Sequence, residues 1–167
     1  YFKSVKCDTE NPFSGLVPGT TEAAWLKQFN EYFIPFGLQE IELNEQGSSP
    51  FDRLTTSKMP KVQGPLVSVV VSAFNSGPEL ISAVQSLLDQ TWENIEVIIV
   101  DDCSAQTDYL DQAKEMDPRI KVFRQSENRG TYAARNLGIR NSNGVFVTTH
   151  DSDDWAHPQR IELQVKT

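Results

Sequence analysis

Three carboxylates fall within four residues, Asp151, Asp153 and Asp154, directly after the strand-like run 145–149. Ionised together in a partly dry cleft they would repel one another, and a divalent cation removes that conflict. Carboxylate oxygens are hard ligands suited to Mg²⁺ or Mn²⁺, and such an ion takes one or two protein carboxylates, leaving positions for water and a diphosphate. The Asp-x-Asp spacing lets one carboxylate reach the metal and the other a ribose hydroxyl. The competing reading is a solvated turn that caps the next helix, with Pro158 placed for a first turn. Asp101 and Asp102 end another apolar run and could accept hydrogen bonds from a nucleobase imide or amine; a helix cap, with Ser104 as competitor, is the alternative. Arg129, Arg135 and Arg140 surround one helical stretch, and Arg135 is placed to offer phosphate its planar fork of donors, against a plain solvated basic face. Phe74 is either a stacking platform or core. His150 and His157 flank the acidic cluster and stay outside the expected metal shell.

These residues need strands to present them. After Gly64 the chain alternates: apolar run 66–71, helical 79–89, apolar 95–100, helical 107–116, strand-like 120–123, helical 131–140, strand-like 145–149. Short apolar runs without polar relief suit parallel strands buried on both faces, so an α/β sheet flanked by helices is expected. Ligands in such sheets sit beyond the carboxyl ends of the strands, where each run here meets polar residues. Residues 1–60 read as an extension with scattered turn formers and one helix, capped by Thr20 or Thr21 and carrying Ala24, Trp25, Phe29, Phe33 and Ile34 until Pro35 interrupts. Residues 61–167 read as the domain proper, with 58–65 linking the two.

With 38% hydrophobic, 10% aromatic and 23% charged residues, the composition is that of an ordinary globular protein. Fifteen basic against 23 acidic residues leave a net charge of −8, which argues against a nucleic-acid partner. No apolar run approaches the ~20 residues of a membrane span. Cys7 and Cys103 are too few for a disulfide framework, so a cytoplasmic location is expected. The start at Tyr1 without Met and the stop at Thr167 inside an amphipathic segment read as a piece of something longer.

Five blocks, 65–75 (PLVSVVVSAFN), 86–91 (SLLDQT), 97–104 (VIIVDDCS), 128–136 (NRGTYAARN) and 150–155 (HDSDDW), together resemble the nucleotide-sugar half of a family-two glycosyltransferase with the GT-A fold. The resemblance covers about 64–166, and 1–60 matches no motif. It implies a Rossmann-like, mostly parallel sheet truncated before the acceptor half. It places Ser72 and Phe74 beside the base, Asp102 on the uracil ring, Asn128 and Arg135 near base and diphosphate, Asp151 at the ribose or sugar, Asp154 near the donor sugar, and Asp153, with Asp151, at Mn²⁺ or Mg²⁺. The implied reaction is inverting transfer from a nucleotide-diphosphate sugar, UDP favoured, to a hydroxyl of a glycan or lipid-linked acceptor. The general base is expected beyond residue 167, so the chain alone is expected to be inactive. Two other classes compete: a haloacid-dehalogenase-like phosphotransferase with Asp151 as nucleophile, and a non-catalytic interaction module docking through residues 25–36. A receiver-like domain lacks a clear phosphoacceptor and lysine arrangement.

Overall fold

The computed structural model describes residues 19, 21–47 and 51–167. The chain forms two compact units, Tyr1–Lys58 and Met59–Thr167. In the first, helix α1 (Glu22–Phe33) starts at Thr21, whose hydroxyl accepts from the Ala24 N–H at 3.2 Å; Thr20, the other expected cap, lies outside the described residues. Trp25 stacks on Phe29 and Phe29 meets Phe33 edge-on, each pair 5.0 Å apart. A 3₁₀ turn, Ile34–Phe36, then ends at Gly37 in the left-handed region, where a side chain is disfavoured. Strands β1 (Ile41–Leu43) and β2 (Leu54–Thr56) pair antiparallel, a hairpin that the sequence pattern does not announce. The buried Asn30 side chain spans helix and hairpin, donating to the Ile41 carbonyl and accepting from its N–H. Arg53 forks onto both oxygens of Glu22 at 2.8 Å.

The second unit runs β3 (Val67–Ala73), α2 (Glu79–Leu88), β4 (Ile95–Asp101), α3 (Asp108–Met116), β5 (Ile120–Arg124), α4 (Thr131–Arg140), β6 (Phe146–Asp151) and α5 (Arg160–Lys166). The expected alternation is present. All four strands are parallel, in the order β5-β4-β3-β6. Because strand side chains alternate between faces, Val67, Val69, Val71, Val97 and Ile99 pack into one apolar layer with Leu80, Val84 and Leu87 of α2, Ala113 of α3 and Ile161 of α5. Val70, Ile98 and Val100 face the other way, against Ala134 and Leu137 of α4. Gly138 lets α4 approach closely, since a Cβ there would run into the Val70 side chain. Burial on both faces accounts for the unbroken apolar runs of β3 and β4. β6 is an outer strand, with Phe146 45% and Val147 42% exposed. No helix among the described residues is long and apolar enough to cross a membrane.

At the amino ends of the strands Glu96 is buried in a polar knot. It accepts from Ser68 Oγ at 2.5 Å, Lys121 Nζ at 2.7 Å, and Asn143 through N–H at 2.6 Å and Nδ2 at 3.1 Å. Ser68 Oγ in turn accepts from the Gly144 N–H at 2.8 Å, which fixes the turn feeding β6.

Candidate functional site

β4 and β5 extend the sheet to one side of β3 and β6 returns on the other, so the order reverses at the β3/β6 pair. Open α/β sheets hold ligands outside the carboxyl ends of strands at such a point. There Ser72 lies opposite Asp151 in the register, and Ala73 lies opposite Asp101.

The loops after β3 and β4 brace one another. Asn75 and Cys103 both take left-handed backbone, with φ of 49° and 65°. The Asn75 N–H donates to Ser104 Oγ at 2.7 Å and Asn75 Oδ1 accepts from the Ala105 N–H at 3.0 Å, bonds that hold the strained conformations. Asp101, fully buried, accepts from the Ser104 hydroxyl and N–H and pairs with Arg124 Nε at 3.1 Å. Asp102 takes Gln125 Nε2 at 2.7 Å and the N–H groups of Arg129 at 2.8 Å and Gly130 at 2.7 Å. Neither aspartate caps α3, whose N-cap is Thr107 without a side-chain bond. Asp102 instead grips the loop that opens α4, and its partners, 23 to 28 residues downstream, leave no local signal in the sequence.

The acidic turn after β6 does not cap a helix either. α5 starts past Gln159, which makes no side-chain cap bond. The turn is shaped by Asp154 N–H on the Asp151 carbonyl at 3.3 Å and joined to the β3 loop by Ser76 Oγ donating to Ser152 Oγ at 3.0 Å. From α5, Arg160 reaches back: Nη1 donates to His150 Nδ1 at 2.8 Å and Nη2 to the Thr149 carbonyl at 2.7 Å. A guanidinium only donates, so Nδ1 is bare and the proton sits on Nε2, which donates to the Asp154 carbonyl at 3.1 Å. Burial first, and the Arg160 charge second, lower the His150 pKa and keep the ring neutral. Both ring nitrogens are occupied by these partners. The 86–91 block, to which the resemblance assigns no role, anchors the segment behind this turn. Ser86 Oγ accepts from the Ala156 N–H at 3.0 Å, Gln90 bonds the His157 carbonyl and the Ile161 N–H, and Thr91 holds Pro158 and Glu162.

Arg135 of α4 completes the site. Its Nη2 donates to Asp151 Oδ1 at 2.5 Å, while its Nε is buried without an acceptor. An unmet buried donor costs about 1–3 kcal/mol. A cleft of about 290 Å³ is lined by Arg135 and Arg160, by Thr149, His150 and Asp151, and by Asp154 and Trp155. Of the sequence-predicted residues, Arg135, Asp151 and Asp154 thus share one cleft. Ser72 and Asp102 stand at the neighbouring strand ends, half-buried and buried; Asp153 is exposed in the turn between two lining residues, and Asn128 is exposed in the loop before α4; none of these four lines the cleft. Phe74 is 51% exposed, so it is not core. Arg140 is exposed, and Arg129 pairs loosely with Glu127 at 3.9 Å.

Among the described residues no three or more His, Cys, Asp or Glu side chains are gathered for a metal. Asp153 and Asp154 are exposed, and no donor among the described residues ties up either carboxylate. That donor set fits a hard cation that keeps waters and shares oxygens with a diphosphate, rather than one caged wholly by protein.

A family model described as glycosyl transferase family 2 matches residues 68–167. The succinoglycan biosynthesis protein ExoO of Rhizobium meliloti is 37% identical over 102 residues, 61% of this chain and 29% of ExoO. Staphylococcus aureus TarS 1-349, solved with UDP-GlcNAc, superposes with a TM-score of 0.55 at 27% identity, covering 60% of this chain and 30% of TarS 1-349. The mannosyltransferase PcManGT from Pyrobaculum calidifontis, solved with GDP-Man and Mn²⁺, has the same fold at 24% identity and a TM-score of 0.54, over 64% of this chain and 33% of its own. The chain spans about a third of the length of these proteins.

Proposed function

Because this chain belongs to glycosyl transferase family 2 and carries part of its GT-A fold, we propose that Met59–Thr167 is the donor-binding part of an inverting, metal-dependent glycosyltransferase. The donor is a nucleotide-diphosphate sugar, UDP-linked in preference, and the acceptor a hydroxyl of a glycan or lipid-linked glycan. The observation that carries this reading is the meeting of Arg135 and Asp151 at the point where the strand order reverses, with Asp153 and Asp154 presented beside them.

In this reading Arg135 binds a diphosphate oxygen, Asp151 the ribose or sugar hydroxyls, and Asp154 the donor sugar. Asp153, with Asp151, holds Mn²⁺ or Mg²⁺, which when bound supplies positive charge against the departing nucleotide. Phe74, half exposed beyond β3, offers a face to the base, with Ser72 and Asn128 at its edges. Asp102 acts on the base side both by the lone pair left on Oδ2 and by holding the loop that carries Asn128. Acceptor deprotonation is work for residues outside this set, in the greater length that the relatives carry. The dehalogenase-like alternative loses its ground: its Asp-x-Asp belongs on a first strand, whereas here it follows β6 at the sheet's edge.

A thermal-shift panel of UDP, GDP, CDP and TDP, each with and without Mn²⁺, tests the reading on the chain and on Asp153→Ala. One nucleotide should raise the melting temperature only with Mn²⁺, and the variant should lose that rise, because ligand held by the folded state alone stabilises it. No response to any of the four with Mn²⁺ would sink the reading and favour an interaction module.

A further inference from the structure

Resting on that reading, we propose that the Arg135 guanidinium is also a resident counter-cation for Asp151, which a divalent metal must displace, so that metal and diphosphate are admitted together. Asp151 accepts from Arg135 Nη2 at 2.5 Å, whereas Asp153 and Asp154 are taken up by no donor among the described residues. The other cleft arginine, Arg160, donates to His150 Nδ1 and the Thr149 carbonyl; its charge acts on Asp151 and Asp154 through space, but Arg135 is the arginine that hydrogen-bonds the Asp151 carboxylate.

The Arg135 fork is only half used in this arrangement. Nη2 is committed to the carboxylate, and Nε, in the same planar group, is buried without an acceptor. A carboxylate can meet two N–H groups of one guanidinium side by side, as Glu22 does for Arg53 in this chain. Asp151 does not do so for Arg135. A diphosphate presents several oxygens and can satisfy the donor that Asp151 leaves unmet, drawing the guanidinium off the carboxylate as it binds. Asp151 is then released to the cation. Linkage makes the exchange reciprocal: whatever removes Arg135 from Asp151 strengthens metal binding, and whatever removes Asp151 from Arg135 strengthens diphosphate binding.

The test is Mn²⁺ binding without nucleotide, read by water-proton relaxation on the 167-residue chain, in a double-mutant cycle. Arg135→Gln should tighten Mn²⁺ alone roughly fivefold, the upper end of what a part-exposed ion pair contributes. In the Asp151→Asn background the same change should have almost no effect, because the contest has gone. An arginine acting only through its general field would tighten Mn²⁺ in both backgrounds, and one with a merely structural part would tighten it in neither; either result overturns the inference. Should Asp151→Asn bind no Mn²⁺ at all, the Arg135 Nε–H signal in NMR decides. Adding Mg²⁺ with UDP should shift it and slow its exchange with water, and an unchanged signal overturns the proposal. If no nucleotide diphosphate binds with Mn²⁺ even to the unaltered chain, the donor-site reading falls and takes this inference with it. If one does bind and Arg135→Gln leaves Mn²⁺ alone untouched, only the inference fails.

Discussion

Glu96 is a carboxylate with an 8% exposed side chain whose burial alone would raise its pKa. The Lys121 ammonium, the Ser68 hydroxyl and both Asn143 donors outweigh that penalty and bring it down from 4.5 to about 2. A carboxyl whose pKa is lower in the folded state contributes stability above its unfolded value and loses it as pH falls toward its folded value, here between about pH 5 and pH 2. Lys121 is half exposed, so the knot is worth roughly 2–3 kcal/mol rather than the sum of its bonds. Glu96→Gln should therefore lower urea stability by that amount at pH 7, and the gap to the unaltered chain should narrow from about pH 5 and close only as pH falls through about 2. Parallel pH profiles would show that the charge contributes nothing. For His150 the lowered pKa favours the neutral ring in the fold, so an NMR titration should place its midpoint below the ordinary 6.5 with the proton on Nε2.

Helix α4 carries Arg135 on the turn before Gly138, and Gly138 sets how closely that helix lies on the sheet. Gly138→Ala pushes a methyl group into Val70 and Val100, an overpacking that costs about 1–3 kcal/mol by denaturant unfolding. Because the helix must lift to accommodate it, the same variant should also lose much of the Mn²⁺-dependent nucleotide response; an unchanged response would mean Arg135 is positioned independently of helix seating. α4 itself is legible in the sequence to the residue, since Gly130 precedes it and its apolar residues repeat with helical period. The hydropathy pattern puts β6 at 145–149, but the strand runs Phe146–Asp151, because pairing of Ser72 with Asp151 carries it through two polar residues that hydropathy rules out. The hairpin of β1 and β2 is invisible to that pattern, as two three-residue strands with mixed burial give no periodic signal. Of the candidate residues, Arg135, Asp151 and Asp154 meet in one cleft, but the contacts that position the site are not legible: Asp102's hold on Arg129 and Gly130 and Arg160's hold on His150 cross elements and depend on geometry alone.

Among the described residues the parallel sheet ends in two outer strands, β5 and β6, and the β6 flank carries the exposed apolar side chains. β6 has no strand on its outer side among the described residues, and Val145, Phe146 and Val147 are 72%, 45% and 42% exposed along it. Unpaired backbone beside apolar side chains invites strand-to-strand association. Light scattering should show the chain's apparent mass rising with concentration, and Val147→Lys should suppress the rise; a mass independent of concentration would mean the flank is inert. The polarity of the sheet has a further consequence. The proposed donor site lies at the carboxyl ends of the strands, whereas the Glu96 knot sits at their amino ends, a full strand length away. Durability toward acid and selectivity for a guest are thus separate dials, and an engineer can turn the first without disturbing the second.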